Sequence, residues 1–265
     1  MFLIFIFFIF GLLIGSFCNV LVFRMKNSMS VVKPASHCFA CKKKIIWRDN
    51  IPIISFLILR GECRNCKAKI SWQYPMVEFL VGITWGLIGY LYYFNFFENF
   101  FIAITWSLIF SALWVIFIYD WKYMEIPMNL VWFSLVLIIA INFFTDKINL
   151  IDCSIFFEST IFINGLSGLV AFIFFFGLSF ISNEEWMGYG DSFLALLIGL
   201  ALGPVASFLA ILVAFCVGSI FSITIVILGK ADLKSQVPFG PFLIFGFMLM
   251  FFVKFLFPDL LNLFV

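Results

Sequence analysis

Apolar runs of about 20 residues, the length that crosses ~30 Å of hydrocarbon at ~1.5 Å per residue, recur from one end of this chain to the other. A segment in lipid must satisfy its own backbone N–H and C=O groups, so only helices or a closed barrel can cross. These runs are unbroken and do not alternate apolar with polar residues, which excludes a barrel. Eight spans are expected, over 2–23, 75–94, 101–119, 129–144, 160–181, 191–203, 205–228 and 239–257. Composition agrees: 65% of residues are hydrophobic, and 41 are Phe against 16 Lys and Arg and 14 Asp and Glu, proportions that no soluble core requires. The expected fold class is therefore an all-α polytopic membrane protein of about eight transmembrane helices. The first run starts at Met1 without a basic leader or a small-residue cleavage site, and reads as a retained helix.

The one extended polar segment, 24–74, carries 11 of the 16 Lys and Arg, and the positive-inside rule makes it cytoplasmic. Threading the spans from there brings 119–128, 182–190 and 229–238 to the same side and turns both chain ends outward. The 145–159 loop, with Asp146, Asp152 and Glu158 against Lys147, falls on the opposite side. The net charge of +2 comes from the basic loop and reads as a topology signal, with nothing in it that calls for nucleic acid as a partner. The expected organisation is a first helix (1–23), a basic cytoplasmic loop (24–74) and a seven-helix region (75–265).

Within that loop stand Cys38-x-x-Cys41 and Cys63-x-x-Cys66, separated by 21 residues. Paired C-x-x-C knuckles suit a tetrahedral zinc site. Cytoplasmic thiols stay reduced, so disulfides are not expected. Four thiolates leave no open coordination position, and the loop has little apolar core, so such a zinc would be structural and would supply folding free energy. The alternative is a pair of redox dithiols. His37 reads as a bystander, and Cys18, Cys153 and Cys216 as ordinary residues.

Two carboxylates stand at the ends of spans: Asp120 in Y-D-W-K-Y-M-E-I-P and Asp191 in M-G-Y-G-D. On the expected topology both lie at the same face of the membrane. A carboxylate near hydrocarbon is costly, by about 2.5 kcal/mol or more at a helix centre, and is usually kept for function. Two at one site separate their pKa values, leaving one acid and one base for hydrolysis. Gly188 and Gly190 allow unusual backbone angles and the close approach of an extended peptide. Against this stands a plain alternative, that Asp191 merely caps a helix. Asn19, inside the first span, and Glu78, near the start of the second, could orient a substrate or cofactor or simply bond a neighbouring helix. Glu125, Glu184 and Glu185 read as solvated, and Pro238-Phe239-Gly240-Pro241 as the turn that starts the last helix.

The chain resembles the type IV prepilin peptidase family, the membrane aspartyl leader peptidases of the G-x-G-D class. The likeness runs through G-S-F-C-N-V (15–20), C-F-A-C (38–41), W-R-D-N-I-P through C-R-N-C (47–66), I-S-W-Q-Y-P-M-V-E (70–78), Y-D-W-K-Y-M-E-I-P (119–127), M-G-Y-G-D (187–191) and V-P-F-G-P-F-L (237–243). That resemblance implies that Asp120 and Asp191 are the catalytic pair and that the four cysteines bind zinc. It implies a bacterial inner-membrane enzyme whose partners are precursors of pilins or pilin-like proteins. Such enzymes cut a short basic leader after a glycine at the cytoplasmic face, and many then N-methylate the new terminus with S-adenosylmethionine. Two positions depart from the family pattern: Phe193 stands where a lysine often follows the G-x-G-D aspartate, and Met128 where an acid often follows I-P. No G-x-G-x-x-G signature gives the methyltransferase independent support. The competing readings are a non-enzymatic zinc-ribbon adaptor, for which the aspartates would not matter, and a proton-relay transporter, which would need carboxylates near the midplane.

Overall fold

The computed structural model describes residues 1–30, 35–97, 99–145, 159–229, 232 and 236–262. The expected acidic loop with Asp146, Asp152 and Glu158, Cys153, and residues 230, 231 and 233–235 of the 229–238 connection lie outside them. Eight apolar helices stand where the hydropathy pattern puts spans: α1 (Phe2–Lys26), α3 (Gln73–Tyr93), α4 (Phe100–Tyr123), α5 (Met128–Thr145), α6 (Thr160–Ile181), α7 (Tyr189–Leu202), α8 (Pro204–Ile227) and α9 (Gly240–Leu256). Between α1 and α3 lie a 3-10 turn (Trp47–Asn50) and a short helix α2 (Ile54–Ile58), and after α9 comes α10 (Pro258–Asn262). Six of the apolar helices are long enough to cross a membrane, and α7 and α9 are shorter. No strand is present among the described residues.

The chain divides into two compact units, Met1–Val115 and Ile116–Val265. In the first, α1 packs along α3. Glycines let the two backbones approach: a Cβ on Gly15 would stand 2.7 Å from the Cα of Glu78, and one on Gly82 would stand 2.6 Å from Leu12 Cδ2. Small residues are the usual means of close helix contact in lipid, where apolar burial gives no net drive. Trp85 Nε1 donates to Ser111 Oγ at 2.9 Å, tying α3 to the first part of α4.

In the second unit α7 is central, in contact with α5, α6, α8 and α9. Its 14 residues span only about 21 Å, short of the ~30 Å hydrocarbon core. It ends at Gly203, whose φ of +79° suits glycine, and Pro204 opens α8. A break of this kind at membrane depth is tolerated only where protein groups take over the freed carbonyls. Asn142 Nδ2 of α5 donates to Leu200 O at 2.9 Å, and Lys254 Nζ of α9 donates to Leu202 O at 2.8 Å. Aromatic rings fill much of the remaining space, as where Phe175 stacks against Phe239 and Phe215 packs on it at a tilt.

Candidate functional site

Asp120 lies within the last turn of α4, and Met124 closes the helix with its N–H on Asp120 O and a positive φ of 52°. The chain then runs through Glu125-Ile126-Pro127 to α5. The turn between α6 and α7 is tied by Ser179 Oγ, which donates to Met187 O at 2.8 Å. From there Gly188 caps α7, and Asp191 is its third residue. These two segments meet: a Cβ on Gly190 would stand 2.9 Å from Ile126 Cβ, so the E-I-P stretch lies directly on the G-Y-G-D turn. Gly190 is thus needed for the approach of Ile126. Unusual backbone angles were expected at both glycines, but Gly188, at φ −75° and ψ 153°, takes angles that any residue adopts, and Gly190 has no positive φ.

The structure brings Asp120 and Asp191 together. Both are buried, at 5% and 6% exposure, and they are close enough for the charge on Asp120 to act on Asp191. The backbone N–H of Gly240, first residue of α9, donates to the Asp120 carboxylate. The Gly188 N–H donates to Asp191, an N-cap arrangement in which the acid three residues in reaches back to the cap. A Cβ on Gly240 would stand 2.5 Å from Asp120 Oδ2 and 3.4 Å from Leu194 Cδ1, so α4, α7 and α9 converge on one point. Gly240 is the participant that sequence reasoning placed only in a turn. Its signal was present in V-P-F-G-P-F-L, but the approach that makes it matter is tertiary. Asp191 Oδ1 and Ser192 Oγ are buried with no hydrogen-bond partner among the described residues. Two carboxyl groups in one buried setting offer the chemistry of an acid beside a base.

The remaining sequence candidates lie in the first unit. Asn19 Nδ2 donates to Gly15 O and Tyr74 O, and Gln73 Nε2 donates to Asn19 Oδ1. Glu78 Oε2 accepts from the Ile53 N–H at 2.7 Å and its carboxylate from the Ser16 hydroxyl. These bonds join α1, α3 and the chain before α2. Of the two family departures, Phe193 fills space against Trp132 and Phe172, and Met128 opens α5.

The four cysteines form one cluster, with all Sγ atoms within 4.8 Å of one another. Two copies of one backbone turn build it. Cys38 N donates to Lys43 O and Lys42 N to Cys38 O, and 25 residues later Cys63 N donates to Ala68 O and Lys67 N to Cys63 O. Lys42 and Lys67 take matching positive φ values of 58° and 59°, and His37 and Glu62 pair with Lys44 and Lys69 in matching antiparallel bridges. Cys38 Sγ and Cys66 Sγ are 3.8 Å apart, close to the ~3.8 Å edge of a tetrahedron with metal–sulfur bonds of about 2.3 Å. Backbone N–H groups of Cys41 and Ala40 bring the Cys38 thiol down to about 6. Cys66 receives the Ala68 N–H but is pushed up to about 11 by desolvation and by hydrogen bonds shared with the other three thiols. Four thiolates in this space repel one another unless a cation joins them, so the donor set and spacing fit a metal.

Comparison with known proteins follows the same division. Residues 9–92 match the bacterial peptidase A24 N-terminal domain, and residues 107–223 match the type IV leader peptidase family. A Stutzerimonas stutzeri protein named prepilin leader peptidase/N-methyltransferase is 28% identical over 256 residues, which cover 88% of this chain and 84% of its own. A Pseudomonas aeruginosa protein of the same name is 30% identical with the same coverage. One from Myxococcus xanthus is 45% identical over 76 residues, 29% of this chain and 23% of its own. No solved structure matches the chain. With two family domains in order and a 30% identical relative covered over most of its length, this chain belongs to the type IV leader peptidase family.

Proposed function

We propose that the protein is a membrane aspartyl endopeptidase that removes the short basic leader of prepilins or pilin-like precursors after a glycine, at the cytoplasmic face of the bacterial inner membrane, and N-methylates the new terminus. The carrying observation is the pair itself: two carboxylates 71 residues apart in the chain are both buried and interact in one unit. The ionised member takes a proton from water as that water attacks the scissile carbonyl, and the protonated member donates to the carbonyl oxygen. Collapse of the tetrahedral adduct breaks the C–N bond, and a carboxyl proton goes to the leaving amine. The Gly240 N–H holds Asp120 in place, and the Gly188 N–H holds Asp191. The second activity is supported by the relatives' printed names, and S-adenosylmethionine would supply its methyl group to the new amine.

Cys38, Cys41, Cys63 and Cys66 hold a structural zinc that folds the 24–74 loop on the cytoplasmic side, between the first helix (1–23) and the peptidase region (75–265). The test is purified protein incubated with a prepilin, followed by mass spectrometry of the new N-terminus, for the parent and for Asp120→Asn and Asp191→Asn. Each variant should insert normally and cut nothing, and the double variant should lose no more than either single one, because members of one catalytic unit are not additive. Near-parental turnover in either single variant refutes the pair, and a parent that cuts nothing leaves the adaptor reading.

A further inference from the structure

The described part of the zinc loop exposes an apolar face that its own unit does not cover. In α2, Ile54, Leu57 and Ile58 are 55%, 64% and 70% exposed. At 100° per residue these three share one side of the helix. Phe56 lies on the other side, buried, with its ring 4.9 Å from that of Trp72 and its edge against Gly61. The helix thus has an inner face that packs and an outer face of three large aliphatic side chains left mostly uncovered among the described residues.

The depth of α2 says what covers that face. Glu78, which accepts the Ile53 N–H, is the sixth residue of α3, about 8 Å along a helix long and apolar enough to cross the membrane. Ile53 is β-branched yet sits at φ +60°, an outlier that persists only where the surroundings over-determine it. Gln73 and Asn19 bond the start of α3 to α1 seven residues before α1 ends. The chain leading into α2 is therefore bolted to two spanning helices below the level of Arg24 and Lys26, the basic residues in the last turn of α1. Trp47 and Trp72, both exposed, flank the segment, and Arg48 lies over the Trp47 ring while Arg60 follows α2. Aromatic rings and basic groups around an apolar helix face are the composition of the membrane interface.

We infer that α2 is an interfacial helix, with Ile54, Leu57 and Ile58 set into the acyl boundary of the bilayer and Arg48 and Arg60 at its anionic headgroups. The inner face carries the helix on the protein, and the outer face anchors the metal loop to the lipid surface. Neither statement depends on peptidase activity.

The experiment uses the full chain in bilayer discs of phosphatidylethanolamine and phosphatidylglycerol, with photoreactive p-benzoylphenylalanine replacing Leu57 or Ile58. Ile220, exposed on α8, serves as a lipid-facing reference, and Lys43, exposed on the first knuckle, as a solvent-facing one. Lipid adducts at positions 57 and 58 should match those at 220 and exceed those at 43 several-fold by mass spectrometry. Yields no higher than at position 43 overturn the inference, as do crosslinks into protein, whether a second copy or a substrate. Where either substitution opens the loop to protease, the same label at Ile54, on the same face, gives the deciding readout.

Discussion

Replacing Gly240 by Ala tests the proposed pair without touching either carboxylate. The new Cβ would stand 2.5 Å from Asp120 Oδ2. Ordinary non-bonded contact lies at about 3.5 Å, so the carboxylate must move by roughly 1 Å. An Asp side-chain end swings aside at little cost in folding. Gly240 has no positive φ, and as the first residue of α9, before Pro241, it lies outside the helix interior where alanine gains over glycine, so the substitution changes folding little in either direction. Catalysis is less forgiving, since a 1 Å misplacement of a reacting group can cost about 100-fold in rate. The expected outcome is a kcat about 100-fold lower on prepilin cleavage, with KM and thermal stability little changed. Gly177→Ala, where a Cβ meets nothing within 4 Å, should leave the rate unchanged. A Gly240→Ala enzyme that cuts at the parental rate would refute the proposal that Asp120, held by this amide, does chemistry. An enzyme that loses rate and stability in proportion would reduce Gly240 to a packing residue.

Cys38→Ser or Cys66→Ser should abolish stoichiometric zinc in elemental analysis and open 35–70 to protease, because three sulfurs cannot supply the folding free energy of four; a metal-free yet equally protected loop would contradict this. Lys254→Met should lower stability by about 1.5–3 kcal/mol in denaturant titration, because Leu202 O loses a charged donor in a buried setting. Asn142→Leu should act in the same direction on Leu200 O, and an unchanged unfolding midpoint in both variants would mean that the end of α7 is capped some other way. Arg64 donates to both oxygens of Asp49 and holds its carboxyl below the usual carboxylate value. A depressed folded pKa adds stability above the unfolded value of about 3.9 and loses it as pH falls through the lowered one. Asp49→Asn should therefore speed amide exchange of 47–50 at pH 7 and converge with the parent only in acid; equal rates at pH 7 would deny the pair a role.

The spans were legible because hydropathy over 20 residues is a one-dimensional signal that lipid makes nearly binding, and 160–181 agrees with α6 at both ends. The expected ends slipped where polar residues continue a helix past its apolar run. Arg24 and Lys26 extend α1, and Asp120 through Tyr123 extend α4, so Asp120 is held in helical geometry and does not hang beyond it. The cysteine knuckles were legible because their turns are local and repeat with the sequence. What lay beyond sequence was every contact set by packing: Gly240 on Asp120, Ile126 on Gly190, and the donors from α5 and α9 to the carbonyls of α7. Neither Asn142 nor Lys254 differs in sequence from a polar residue facing water. Helix α2 is not legible because five residues are too few for a periodicity, and its place is set by the bond that the Ile53 N–H donates to Glu78.

The two ends of α7 show why its middle is unremarkable and its start is not. A helix leaves four N–H groups unpaired at its start and four C=O groups at its end, and in a buried setting each needs a partner. At the C-terminal end Asn142 and Lys254, from different helices, take up Leu200 O and Leu202 O. At the N-terminal end Gly188 donates to Asp191, but Asp191 Oδ1 and the Ser192 hydroxyl stay buried without a partner among the described residues. More than nine in ten buried polar groups in proteins are paired, so a chain that closes one end of a helix this carefully does not leave the other open by default. A pure cap would need one carboxylate oxygen and no second carboxylate beside it. The polar rule is broken at the end where Asp120 stands opposite, and a local rule broken beside a second carboxylate supports the proposal that this pair is the reacting site.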